Sequence, residues 1–327
     1  MKGGEITKNL LFIIILAAML SGCAAQGGNP SPSSASASDS LSEDAFSSLE
    51  DPAASMGGSF SETAEEGPLI EDTGGHSEIH PYLNGLVSRV VDGISTSEMS
   101  EYERAKAAFD YMIEHTVLDE PIGLDLWRVH GGGSGPIPFV EQRALSPLRF
   151  GVGMCEDYAA ALTLLLRGMG LEARYVPGLT YSLEGHLVDH AWTMVHIDGA
   201  WYHLDSQLED NISRHGAVRY RYFLKGDGQM AGSHLWGQRL IDSGLLTTEQ
   251  NAEIAEHYLF PDCPQDYPTP ERHMFTEAAL PDLEMLRAQA QAEVTAYEDE
   301  YGMLPPMELN TAPPVFGLEG FGPPDEG

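Results

Sequence analysis

Basic residues are scarce in this chain: 17 Lys and Arg stand against 50 Asp and Glu in 327 residues, a formal net charge of −33. A surface of that sign repels phosphate backbones and anionic headgroups, which excludes nucleic acid as a partner. Cysteine is scarcer still, with only Cys23, Cys155 and Cys263. A disulfide-knit scaffold is thereby excluded, and each thiol has to be accounted for individually. Long apolar runs are missing too: the one uninterrupted stretch, Leu10 to Leu20, falls short of the roughly 20 residues a bilayer span needs.

What flanks that run gives it a meaning. Lys2 and Lys8 lie in a polar start, and Leu20-Ser21-Gly22-Cys23 follows with small residues before a cysteine. The segment resembles a bacterial lipoprotein signal. The resemblance implies that residues 1–22 are removed, that Cys23 is the lipid attachment site, and that the protein is extracytoplasmic and held to the membrane by its lipid. Residues 23–76 are Ser, Ala, Gly, Pro and acid, as in NPSPSSASASDS. With few large apolar residues to offset ordering entropy, they read as a flexible linker. Cys155 and Cys263 are then the only cysteines of the mature chain, and a single pair in an exported protein can form a disulfide.

Residues 77–265 read as one α+β domain, and 266–327 as a C-terminal helix with a Pro/Gly-rich tail. Tyr102, Ala105, Phe109, Met112 and Ile113 recur at helical spacing, and Ser100 with Glu103 has the form of a capping box. A Gly/Pro-rich loop, with Gly131-Gly132-Gly133 and Pro136-Ile137-Pro138, is expected to run up to the cysteine. A buried helix follows over 155–169, since Ala159 to Leu166 is nearly all apolar, and Gly170 suits its C-terminal cap. LEARYVPGLTY alternates as a strand does, and strands over 188–197 and 200–206 meet at Asp198-Gly199, a hairpin signal. RYRYFLKGDGQMAGSHLW is expected to close over the sheet as loop and short helix, and Leu283, Leu286, Ala290 and Val294 mark a last helix over 281–300.

The hairpin makes a geometric claim. With Asp198 and Gly199 as the central turn residues, Ile197 faces Ala200, His196 faces Trp201, Met194 faces His203, Trp192 faces Asp205 and His190 faces Gln207. His190 and Asp205 become diagonal neighbours on one face, roughly 7–8 Å apart at the backbone, a gap their side chains can bridge. Cys155 opens the buried helix after Gly151-Val152-Gly153. The N–H groups and dipole of a helix start favour the anionic form of a thiol, a neighbouring imidazole completes its activation, and the Cys155 amide can serve an oxyanion hole.

Taken in order, GMCEDYA, the strand carrying His190-Ala191-Trp192, and WYHLD ending at Asp205 resemble the transglutaminase-like core of the papain-like cysteine enzymes. The resemblance reaches back to the helix near 100–115 and forward through YFLKGDGQMAGSHLW. It implies a buried helix carrying Cys155 packed on an antiparallel sheet, with Cys155 as nucleophile, His190 as base and then acid, and Asp205 as its orienter. It implies amide-bond chemistry through a thioester, without a cofactor or metal, on a protein, peptide or cell-wall peptide substrate. It also implies a side-chain oxyanion donor upstream of the cysteine, for which Gln142 and Trp127 qualify by residue type. Glu156 and Asp157 favour the helix start but oppose a thiolate beside them.

Three other readings compete. Cys155 could be bonded to Cys263. His186, His190, His196 and His203 could hold zinc with Asp205, although no ligand spacing supports it. The fold could serve without catalysis, as a binding or assembly module at the cell surface.

Overall fold

The computed structural model describes residues 80–130, 137–182, 185–212, 216–276 and 280–305. The signal segment, Cys23, the linker expected over 23–76, Gly131-Gly132-Gly133 and residues 306–327 of the tail lie outside the described residues.

Four helices precede and support the cysteine. The first, α1 (Pro81–Ile94), shows Leu83, Leu86, Val87 and Val90 to the core. The second, α2 (Glu101–His115), starts at the expected capping box, with the Ser100 side chain accepting from the Glu103 N–H and Glu103 accepting from the Ser100 N–H. A short strand β1 (Val117–Leu118) and helix α3 (Leu126–His130) lead to α4 (Phe139–Phe150).

Helix α4 corrects the sequence reading, which took this stretch for loop up to the cysteine. Pro147 lies inside the helix, and a proline removes one N–H and disfavours a helix interior. The bond it removes is the one to the Arg143 carbonyl, while its own carbonyl still accepts from the Gly151 N–H at 3.0 Å.

Strand β2 (Val152–Gly153) pairs in parallel with β1 and hands the chain to α5 (Cys155–Gly168). Gly151 makes the sharp connection. Its φ is +66°, and a Cβ there would sit 2.4 Å from the His115 carbonyl oxygen. Gly151→Ala is therefore expected to destabilise the fold by about 2 kcal/mol or more. Gly85→Ala, inside α1 with open space around it, should be neutral or stabilise by about 0.5–1 kcal/mol. Urea denaturation of the two variants checks both signs.

The sheet is antiparallel, in the order β5-β4-β3-β7, from β3 (Glu172–Tyr181), β4 (Leu187–Ile197), β5 (Ala200–Leu204) and, after helix α6 (Ser206–Ile212), strand β6 (Ala217–Val218) and helix α7 (Asp227–Met230), β7 (His234–Leu235). The hairpin register is as expected from Ile197↔Ala200 to Met194↔His203, and continues to Thr193↔Leu204. It stops there, so Trp192 does not pair with Asp205, nor His190 with Gln207. The Asp205 N–H instead donates to the Tyr222 carbonyl at 2.9 Å, and Gln207 lies on α6.

Strand β4 is covered on both faces. On one, Ala191, Val195 and Ile197 join the main core with α5, and the Thr193 hydroxyl donates to the Ala159 carbonyl at 3.0 Å. On the other, Trp192 and Met194 pack with Val176, Met230, Trp236 and Cys263. Strand β7 was not expected: it adds an edge to β3 through Thr180↔His234 and Leu179↔Leu235. The chain closes with α8 (Gly237–Asp242), α9 (Thr248–His257), β8 (His273–Met274) and α10 (Leu283–Tyr301). Ala290 and Val294 of α10 join the main core, although the helix lies beyond residue 265.

Candidate active site

One helix delivers the thiol, and β4, the end of β5 and β7 bring together the imidazole and the groups around it. Cys155 is the first residue of α5, partly exposed and unbonded to Cys263, whose own thiol is buried. The competing disulfide reading is therefore ruled out. Met154 precedes the helix in extended conformation, and its N–H donates to the Asp157 carboxylate at 2.7 Å, which pins the helix start.

The charges beside the sulfur are not free to oppose it. Arg143 on α4 pairs with Asp157 at 2.8 Å and with Glu156 at 3.0 Å. Burial pushes the Asp157 carboxyl up to about 7, against the pull of Arg143 and the Met154 N–H. A helix that the sequence reading missed thus supplies the cation that answers both acids.

His190 projects from β4 and is 6 % exposed; Asp205, just past the end of β5, is 1 % exposed. The His190 Nε2 donates to Asp205 Oδ2 at 2.6 Å. Cys155 is close enough to the same ring to raise its affinity for a proton, and with Nε2 committed to Asp205 it is Nδ1 that remains for the thiol. Burial disfavours a charged imidazole here, but the Asp205 carboxylate and the Cys155 sulfur outweigh it and raise His190 to about 10. Trp192 stacks on the ring, with centroids 5.9 Å apart.

Asp205 has three N–H partners. Besides His190, its Oδ2 accepts from His234 Nε2 at 3.0 Å, and its Oδ1 accepts from the Leu208 N–H at 2.9 Å, capping the start of α6. Burial raises its carboxyl, yet His190 and His234 hold it well below the usual carboxylate range. His234 was not among the expected site residues; its only signal was a place in GSHLW, a segment already singled out.

The two oxyanion candidates are joined to one another. The Trp127 indole N–H donates to the Gln142 backbone carbonyl at 3.3 Å, so Trp127 has no donor left for a bound carbonyl. Gln142 stands on α4, the helix that packs along α5.

The histidines do not gather as the zinc reading requires. Among the described residues two groups bring three donor atoms within 4.8 Å: His190 with Asp205 and His234, and His203 with Asp227 and Cys263. In the second group His203 Nδ1 accepts from the Trp192 indole N–H at 3.0 Å, and Nε2 donates to Asp227 at 3.0 Å. The neutral ring therefore keeps its proton on the nitrogen a metal would need. In the first group both Nε2 atoms point at one carboxylate oxygen as hydrogen-bond donors. His196 stands apart, packed on Trp201 with centroids 5.4 Å apart.

Residues 88–206 match the family model described as "Transglutaminase-like superfamily". That stretch runs from α1 through Asp205 and contains Cys155 and His190. Two solved structures are similar in part. A "Putative Cysteine Protease" from Cytophaga hutchinsonii is 17 % identical, covering 39 % of this chain and 39 % of that one, with a TM-score of 0.29. A "TGase" is 20 % identical, covering 38 % of this chain and 31 % of that one, with a TM-score of 0.27. The chain thus spans about two fifths or less of the length of either. No curated protein matches the sequence.

Proposed function

We propose, starting from the transglutaminase-like core at 88–206, that this protein is a cysteine-dependent enzyme of amide bonds, lipid-anchored through Cys23 and working outside the cytoplasm. Its substrate is a protein or peptide, including cell-wall peptide. The observation that carries the reading is the buried His190 imidazole, held by Asp205 at 2.6 Å on Nε2 and raised in proton affinity by both Asp205 and Cys155.

Proton transfer from Cys155 to His190 Nδ1 gives a thiolate and an imidazolium, which the buried Asp205 carboxylate stabilises. The thiolate adds to the carbonyl carbon of the scissile amide, and the oxyanion forms beside the first N–H groups of α5, which have no acceptor within the helix. Collapse breaks the C–N bond as His190 delivers its proton to the leaving nitrogen, and a thioester remains on Cys155. Water, deprotonated by His190, then adds to the thioester and expels the thiolate, giving a carboxylic acid. An amine in place of water gives a new amide. Arg143 keeps Glu156 and Asp157 from opposing the thiolate.

The test is thiol reactivity, followed by a screen of acyl donors. Iodoacetamide at pH 7 should label Cys155 at least about 10-fold faster than an unactivated thiol. Cys263, 0 % exposed and with its thiol pushed up by burial, should remain unlabelled in the folded protein. The alkylated protein should release no product from any amide that the untreated protein cleaves or transfers. Ordinary reactivity at Cys155 would leave the fold as a binding or assembly module.

A further inference from the structure

The histidine on β7 is built into the site in a way that the proposed chemistry has not used. His234 is 1 % exposed. Its backbone is fixed by the pairing of β7 with β3 opposite Thr180, whose hydroxyl donates to the Ser233 carbonyl at 2.9 Å. Its ring packs edge-on against Trp192, with centroids 4.8 Å apart, and against Tyr222 at 5.7 Å. Gly178, opposite His190 in the ladder, permits that packing, since a Cβ there would lie 2.4 Å from the Leu235 carbonyl oxygen and 2.6 Å from the Trp192 ring.

The two nitrogens of His234 have separate partners. Nδ1 lies 2.8 Å from the Ser233 hydroxyl, and Nε2 lies 3.0 Å from Asp205 Oδ2, the oxygen that also accepts from His190. Asp205 is buried and anionic and has no N–H to give, so the proton between Nε2 and Oδ2 belongs to His234. The Ser233 hydroxyl then donates to a bare Nδ1. Burial lowers the affinity of the ring for a second proton, against the pull of Asp205. His234 is thus a neutral donor of one fixed tautomer.

We propose that His234 is a positioning residue for the Cys155–His190–Asp205 site, its Nε2–H fixing the Asp205 oxygen that orients His190. The inference rests on the function proposed above. With His234 in place, Oδ2 cannot swing from the His190 Nε2–H when His190 gives up its Nδ1 proton to the leaving group. Without it, the carboxylate keeps only His190 and the Leu208 N–H, and rotation about the side chain exchanges the oxygen that faces the imidazole. The titratable groups around His234 are Asp205, His190 and His203, with the Tyr222 ring packed against it.

The experiment follows Cys155 alkylation by iodoacetamide from pH 5 to pH 10 in the full chain, for the wild type, His234→Leu and His234→Gln. Leu removes the donor; Gln places an amide N–H near the position of Nε2. The leucine variant should react about 10-fold more slowly near neutral pH, the scale of one hydrogen bond to a charged group, with a displaced pH profile. The glutamine variant should recover to within about threefold of the wild type. A wild-type rate no greater than that of an unactivated thiol would overturn the function and this inference together. A fast wild type with an equally fast leucine variant and an unchanged profile would overturn the role of His234 alone. If the leucine variant does not fold, ¹⁵N resonances of the wild-type histidines decide: His234 should carry its proton on Nε2 between pH 6 and 8, and a proton on Nδ1 instead would overturn the inference.

Discussion

Cys155→Ala, His190→Ala and the double variant are expected to share one residual rate, at least about 10³-fold below that of the wild type on whichever amide substrate the screen identifies. The expectation follows from the proposed exchange of one proton between Cys155 and His190. A thiol and an imidazole that act by exchanging one proton form a unit, so removing either removes the nucleophile as a thiolate, and removing the second has nothing left to cost. The residual rate would come from binding and from the helix N-terminus. Additive losses in the double variant would instead mean that His190 and Cys155 act separately. His190→Ala should also slow Cys155 alkylation without unfolding the protein, since its ring packs on Trp192 in the smaller cluster on the face of the sheet away from the main core. Labelling at an undiminished rate would remove His190 from the mechanism.

The parts of this site that are read most directly from sequence are those set by local chemistry. Asp198-Gly199 dictates the hairpin because both residues adopt positive φ, at 50° and 79°. The register of β4 on β5 follows, and with it the face that His190 shares with Trp192 and His203. Ser100 and Glu103 announce α2 for the same reason: the cap is made of residues three apart. The end of β5 was less legible. A strand continued to 206 would have placed Asp205 on the ladder, whereas the chain pairs with residues 222–225 and turns into α6, with Asp205 as the cap. What brings Asp205 to His190 is therefore a helix start rather than a pleat.

The hidden parts depend on distant segments. Helix α4 was masked by Pro147 and the glycines around it, and with it went Arg143, whose partners are on another helix. Strand β7 has two residues and no periodicity of its own; its position comes from β3. His234 could be suspected only from its company in GSHLW, and its orientation is set only by the folded chain, through β3 and Asp205. Cys263 was an open alternative while its surroundings were unknown. Its amide donates to Asp227 at 2.8 Å, and its sulfur is enclosed with Trp192 and Met194, which leaves it a packing residue on the far face of the sheet from α5.

Asp205→Asn should lower turnover by about 10³- to 10⁴-fold while nearly preserving volume, because it removes charge and an acceptor at once. Asp205 accepts two ring N–H groups on Oδ2 and one backbone N–H on Oδ1. An amide has one oxygen. If that oxygen serves the rings, its NH₂ meets the Leu208 N–H; if it serves Leu208, the NH₂ meets His190 and His234. His190 can relieve the second conflict only by moving its proton to Nδ1, which leaves no lone pair facing the Cys155 sulfur. The stability profile should change too. In the wild type the Asp205 carboxyl is held below its ordinary 3.8, so its contribution is present above 3.8 and lost as pH falls through the folded value. His190 is raised from 6.5 to about 10, so its contribution is full below 6.5 and lost as pH rises towards 10. The pair therefore stabilises most between 3.8 and 6.5, and fades on either side. In the asparagine variant burial acts on the His190 ring with only Cys155 left to oppose it, and the alkaline loss between 6.5 and 10 should shrink markedly. Urea midpoints measured across that range, beside turnover at pH 7, test both halves. A variant that keeps turnover within threefold and the wild-type slope would show that Asp205 only caps α6.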